Sequence, residues 1–268
     1  MDTNENKIII EERDRTIILK INNPEKKNVL TQEIRETLWD ILLEKENSDH
    51  KTLVFIGEGE NFSAGADIKK LISLEKETVT QYTTYVREFL NYLKNYPKIT
   101  IGAVKGFAIG GGLELLLCLD LVYSGKSAKF GQTELNVGII PGGGATQRLQ
   151  DVIGIRMAKE MIYTGKIITS DEAMRIRLIN DVFPDEDLLE ETLKIARKIN
   201  EKNISSLISS KLAINSRMSE ELKHLYLESE LYKKILISED AKEGLSAFLE
   251  KRKPAYSDHG SSGPQLSK

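Results

Sequence analysis

The sequence predicts an α/β fold, and three observations carry the prediction. Short β-branched runs alternate with segments of helical periodicity over roughly the first 150 residues. Glycine-rich stretches stand at several of the switches between them. Beyond that point helical patterns take over. The helical remainder is open to three uses: a second layer on the sheet, a lid, or a surface between subunits.

Residues 7–12 and 16–22 are β-branched runs separated by Arg13-Asp14-Arg15, a hairpin pattern. Asn22-Asn23-Pro24 breaks the second run. Thr31 can cap a helix over residues 32–46, and Glu33 in its first turn suits the helix dipole. Ile34, three residues on from Thr31, excludes a capping box. Residues 51–56 form a short apolar strand ending in Gly57-Glu58-Gly59, and a loop continues through 61–67. Helical patterns cover 68–74 and 79–95, the second stopped by Pro97. A strand at 100–104 is followed by a turn at 106–112 and an apolar helix at 113–119. Strands at 121–124 and 129–131 come next, and Gly142-Gly143-Gly144 leads into a helix at 145–153. Thr169-Ser170-Asp171-Glu172 reads as a helix start. Residues 187–201 and 206–237 read as long amphipathic helices, and 242–252 as the last. The tail, 257–268, is polar and reads as disordered.

Composition bounds the function. The chain has 268 residues, 40% hydrophobic and 29% charged, enough for a sizeable core. A net charge of −3 gives no basic field to draw in nucleic acid, so an anionic ligand would be met by local lysines. The single cysteine, Cys118, excludes an internal disulfide and sits in an apolar run that reads as buried helix. His50, His224 and His259 are scattered, without zinc-ligand spacing. The polar first residues lack the pattern of a signal peptide, and no run approaches the ~20 apolar residues of a membrane span. The expected location is cytoplasmic, with no membrane partner.

Several familiar motifs fail. Gly57-x-Gly59-x-x-Phe62 follows a strand, but a dinucleotide fingerprint needs Gly or Ala where Phe62 stands. Pro141-Gly142-Gly143-Gly144 runs into Ala145-Thr146-Gln147-Arg148, without the Lys-Ser/Thr of a P-loop. No serine lies in a Gly-x-Ser-x-Gly elbow. What remains is a pair of acids beside glycines: Glu114 after Gly110-Gly111-Gly112-Leu113, and Glu134 shortly before the second glycine run. Glycine admits close backbone approach, and a carboxylate beside exposed amides suits acid/base work next to an oxyanion. Each acid also has a plain explanation, as a helix-start acid or a solvated loop residue.

Three blocks narrow this. They are Phe62-Ser63-Ala64-Gly65-Ala66-Asp67-Ile68-Lys69, the segment from Lys105 through Glu114, and Phe130-Gly131-Gln132-Thr133-Glu134-Leu135 with Gly138-Ile139-Ile140-Pro141-Gly142-Gly143. With Asn22-Asn23-Pro24, Asn28-Val29-Leu30 and the stretch from Glu243 through Arg252, they resemble the enoyl-CoA hydratase/isomerase (crotonase) family, in order, over residues 8–256. The departures are Thr133 where the family usually has proline, Asn23 for a common arginine, and Ala145 where glycine is frequent.

The resemblance implies a crotonase-like spiral of ββα units over residues 1–195 and a helical trimerisation region over 196–256. Two such trimers commonly stack into a hexamer. It implies an oxyanion hole from the Ala66 and Gly111 amides and catalytic roles for Glu114 and Glu134. It places coenzyme A and substrate against Lys26, Lys27, Ala64, Asp67, Ile68, Lys69, Gly142, Phe248 and Lys251. No cofactor is implied beyond the substrate's own coenzyme A, and no metal. Members that add water tend to keep both acids, so the implied activity is reversible syn hydration of a 2-enoyl-CoA to a 3-hydroxyacyl-CoA. An enoyl-CoA isomerase, a short-chain 3-hydroxyacyl-CoA dehydratase and a non-catalytic CoA- or nucleotide-binding scaffold are the alternatives.

Overall fold

The computed structural model describes residues 7–216 and 221–256. The reading of the tail at 257–268 lies outside these described residues. The chain opens with a hairpin, β1 (Ile8–Arg13) and β2 (Thr16–Ile21), paired antiparallel from Ile8↔Ile21 to Arg13↔Thr16. Asp14 and Arg15 both take positive φ, 48° and 62°, the backbone that a two-residue hairpin turn demands. Helix α1 (Gln32–Lys45) begins where expected, with Thr31 Oγ1 accepting the Ile34 N–H at 3.2 Å.

There follow β3 (Thr52–Gly57), α2 (Ile68–Ile72), α3 (Lys76–Lys94), β4 (Ile99–Val104), β5 (Phe107–Ile109), α4 (Gly111–Leu116), β6 (Leu121–Gly125) and β7 (Lys129–Gly131). The second half holds α5 (Ala145–Ile153), α6 (Ile155–Thr164), β8 (Ile167–Thr169), α7 (Ser170–Arg175), β9 (Asp181–Phe183), α8 (Leu188–Asn200), α9 (Ile204–Ser216), α10 (Glu221–Leu236) and α11 (Glu239–Glu250).

The larger sheet has the order β1-β2-β3-β4-β6-β9, and every pair after the opening hairpin is parallel. A parallel sheet is covered on both faces, so its strands read as continuous apolar runs. In β3, Leu53 and Phe55 enter one apolar cluster with Ile34 and Leu38 of α1 and Phe89 of α3. Val54 and Ile56 point the other way, into a cluster with Leu188, Leu193 and Ala196 of α8. After β4 and again after β6 the chain crosses a short turn into the smaller sheet, ordered β5-β7-β8. Isolated parallel bridges Leu30↔Ala66 and Ser63↔Ala108 carry that smaller layer toward α1 and α2. This stepping from one layer to the other gives the crotonase-like α/β architecture.

The differences from the sequence reading are local. Residues 106–112 were expected as a turn, yet Phe107–Ile109 is a strand; three residues between glycines show no period to read. Strands β8 and β9 interrupt a half expected to be helical, and each is again three residues long. Helix α4 starts at Gly111 rather than 113, because Gly110 at φ 53° turns the chain straight from β5 into the helix. Helix α11 starts at Glu239 rather than 242, with the Ala241 N–H donating to Ser238 Oγ at 3.2 Å.

Candidate active site

Two loops meet at the N-terminus of α4. The Ser63 N–H donates to the Phe107 carbonyl at 2.8 Å, and the Ile109 N–H returns to the Ser63 carbonyl at 3.0 Å. Ser63 Oγ donates to the Asn28 carbonyl at 2.8 Å and accepts the Gly65 N–H at 3.1 Å. These bonds press residues 63–66 against 109–111. The fit needs glycine: a Cβ on Gly65, whose φ is 93°, would fall 2.6 Å from the Ile109 carbonyl oxygen. A Cβ on Gly111 would fall 3.3 Å from the Ala66 nitrogen, so the two backbones carrying the expected donors lie against each other. Gly111 opens α4, where an amide has no acceptor inside the helix.

Glu114 stands in the first turn of α4 and is 5% exposed. Its Oε1 accepts the Gly143 N–H at 2.7 Å and the Ala145 N–H at 3.2 Å. Glu134 opens a short 3-10 turn, Glu134–Val137. Its Oε1 accepts from Gln132 Nε2 at 2.8 Å, while its buried Oε2 has no hydrogen-bond partner among the described residues. Glycines again make the room. A Cβ on Gly143 would fall 2.5 Å from Glu114 Oε2, and one on Gly110 would fall 3.1 Å from Glu134 Oε1.

Burial raises the proton affinity of Glu114 above that of an ordinary carboxyl, while the Gly143 and Ala145 amides and the Arg148 charge pull it back down. Glu134 is raised well above the ordinary range, first by burial and then by the charge of Glu114. Of the two, Glu114 has the environment that favours the carboxylate and Glu134 the one that favours the acid.

Both acids line a cleft of about 710 Å³. Lys26, Lys27, Ala64, Ala66, Asp67, Ile68, Lys69, Gly111, Gly142 and Phe248 line it too. Lys27 Nζ sits 5.2 Å from the centre of the Phe107 ring at the same cleft. Lys251 is the one site residue that the sequence singled out and the lining lacks; it caps the C-terminus of α11 at φ 55° and is exposed. The α3 side of the cleft is apolar, with Tyr82, Val86, Phe89 and Leu90 one helical face apart.

Sequence reasoning missed several residues that complete the site. Gln132 fixes Glu134. Tyr232 of α10 closes against Gly142, where an added Cβ would meet its ring at 2.6 Å. Arg35 of α1 reaches the cleft and lies 5.3 Å from the Tyr82 ring. Arg148 and Glu228 are buried behind Glu114. Buried charge at the inward position of an amphipathic helix was the one available signal, and it is faint in a chain that is 29% charged.

The model described as enoyl-CoA hydratase/isomerase matches residues 11–259. Among curated relatives, a crotonyl-CoA hydratase of Syntrophomonas wolfei is 36% identical, covering 93% of this chain and 97% of its own. A short-chain-enoyl-CoA hydratase of Clostridium acetobutylicum is 35% identical, covering 92% and 96%. Among solved structures, an enoyl-CoA hydratase/isomerase from Pseudoalteromonas atlantica superposes with a TM-score of 0.85 at 30% identity, over 93% of this chain and 99% of that one. An enoyl-CoA hydratase from Bacillus anthracis gives 0.77 at 33% identity, over 93% and 98%. With the match running from the opening hairpin past the last helix, the chain belongs to the enoyl-CoA hydratase/isomerase family.

Proposed function

We propose that this member of the family is an enoyl-CoA hydratase, adding water reversibly and syn across a 2-enoyl-CoA. The observation that carries the reading is the pair of buried carboxyls in one cleft, one held by two backbone amides and the other by a single side-chain amide. The thioester oxygen takes the Ala66 and Gly111 amides, which draws electrons from C3. Losing one such donor costs about 3–4 kcal/mol of transition-state stabilisation. A water lies between the acids. Glu114, ionised, takes a proton as the water oxygen bonds to C3; Glu134, protonated on Oε2, delivers its proton to C2. Burial and the charge of Glu114 keep the proton on Glu134 against the Gln132 amide, whose N–H occupies Oε1 and leaves Oε2 for that proton. The reverse reaction dehydrates a 3-hydroxyacyl-CoA.

Lys26, Lys27, Ala64, Asp67, Ile68 and Lys69 grip coenzyme A, with Phe248 and Lys251 reaching its nucleotide end, Lys251 from a neighbouring subunit. Residues 196–256 build a trimer, and two trimers stack as a hexamer. Exposed Leu212 and Ile214 on α9 support self-association. No described helix is long and apolar enough to cross a membrane. The enzyme works in the cytoplasm on its acyl-CoA alone, with no cofactor, nucleic acid or membrane partner.

The test is turnover of crotonyl-CoA, followed as loss of the conjugated enone absorbance. Hydration supports the reading. No turnover with short or long 2-enoyl-CoAs contradicts it.

A further inference from the structure

A third buried carboxyl stands behind the catalytic pair. Glu228 of α10 is 4% exposed. Its Oε2 accepts the Thr146 N–H at 3.0 Å and the Thr146 hydroxyl. Arg148 Nη1 donates to the Gly143 carbonyl at 2.9 Å, and the Gly143 and Ala145 amides hold Glu114. Residues 143–146 are thus gripped from one side by Glu114 and from the other by Glu228 and Arg148. Gly144 permits the turn: its φ is 102°, and a Cβ there would fall 2.3 Å from Arg148 Nη1. A neutral amide could accept both Thr146 donors. A buried carboxyl does the same and adds a charge that titrates beside Glu114.

We propose that Glu228 is a positioning residue that anchors the 143–146 segment across from Glu114, with Arg148 beside both carboxyls, and that its charge is felt by the catalytic pair. The inference rests on the reading of Glu114 as base and Glu134 as acid.

Around Glu228, helix α5 supplies Arg148 and Thr146, α4 supplies Glu114, and Glu134 lies across the cleft. Helix α3 meets α10 through Arg87, which donates to Ser229 Oγ at 3.3 Å and stacks over Tyr226, and through Tyr82, which lies near Tyr232. On α10 itself His224 and Tyr232 stand one turn to either side of Glu228. Helix α11 meets α10 through apolar Ala241 and Leu245. Burial, then the charge of Glu114, pushes Glu228 up to about 8, against the Thr146 bonds and Arg148. The charge of Glu228 in turn raises Glu134. Ionised Glu228 therefore keeps the proton on the acid at alkaline pH, and a neutral residue there lets Glu134 ionise sooner.

The experiment is the pH profile of kcat/KM for wild type, E228Q, T146V and E228A. E228Q keeps an acceptor for Thr146, so its plateau kcat is largely retained while its alkaline limb moves down by about one pH unit. T146V deletes one donor that favours the Glu228 charge, and moves the same limb the same way by less. E228A leaves the Thr146 donors without their partner and lowers plateau kcat about tenfold with KM kept. An E228Q profile that superimposes on wild type overturns the effect of the Glu228 charge, and wild-type kcat in E228A overturns the anchoring. Thermal unfolding against pH supplies a readout apart from turnover. E228Q flattens the loss of stability between 4.5 and about 8, and an unchanged slope overturns the proposal even in a protein that hydrates nothing. Absence of turnover in wild type, by contrast, contradicts the hydratase reading alone.

Discussion

Gly143 shows how one residue governs the site. Its amide holds Glu114, and its missing side chain leaves space for the same carboxyl. A methyl there would lie 2.5 Å from Glu114 Oε2 and 2.8 Å from Leu90 Cδ1, so both side chains must shift. G143A is therefore expected to displace Glu114 and lower kcat by about 10²-fold, with KM for the CoA thioester little changed. Steady-state kinetics check this, and a wild-type kcat would contradict it. At this scale the sequence exposed Glu114 and Glu134 because each sits in a glycine context that the backbone must exploit locally. Glu228 was silent because its partner, Thr146, comes from a distant segment that only the fold brings near. Gln132 and Arg148 bond groups close in sequence, Glu134 and Gly143, but no local pattern marks either pair. Thr133, the departure from proline beside Glu134, leaves that carboxyl held by its neighbour's amide.

Among the elements, α10 does more than cover the core. It packs on α3 and brings Tyr232 against Gly142, so it forms part of the wall of the cleft. Y232A opens that wall. The ratio of kcat/KM for octenoyl-CoA over crotonyl-CoA is expected to rise roughly tenfold, measured with both substrates at one pH. An unchanged ratio would mean that the ring does not bound the acyl chain. The long elements were readable: α1, α3, α5 and α8 fall within a few residues of their periodic patterns. The three-residue strands β5, β8 and β9 were not, because their pairing is set by partners distant in the chain rather than by local pattern. The strand that carries the Gly110 turn, and with it the loop proposed to bind the thioester oxygen, is among those missed.

Over the whole molecule, the buried acids couple the site to stability. Glu228 moves from an ordinary 4.5 up to about 8 on folding, and Glu114 and Glu134 move in the same direction, each chiefly by burial. A carboxyl raised in the folded state contributes stability that is full below its unfolded value and lost as pH rises through its folded value. Glu243, lowered to about 2 by Arg252, acts in the opposite sense but only in acid. Between about pH 5 and about pH 8 the buried acids dominate, so Tm is expected to fall across that window by roughly 2 °C or more. Calorimetry at fixed ionic strength measures it, and a Tm that rises would contradict the account. The α/β architecture itself was legible from the alternation of strands and helices. The way the C-terminal helices fold back onto the cleft was not, since amphipathicity says that a helix has a buried face and not what it buries against.

The central claim is that Glu114 and Glu134 act together on one water, one as base and one as acid. Crotonyl-CoA hydration by E114Q and by E134Q, each compared with wild type, tests it most directly. Each variant is expected to lose about 10²- to 10⁴-fold in kcat while KM stays near the wild-type value. Near-full hydration by either variant would contradict the account.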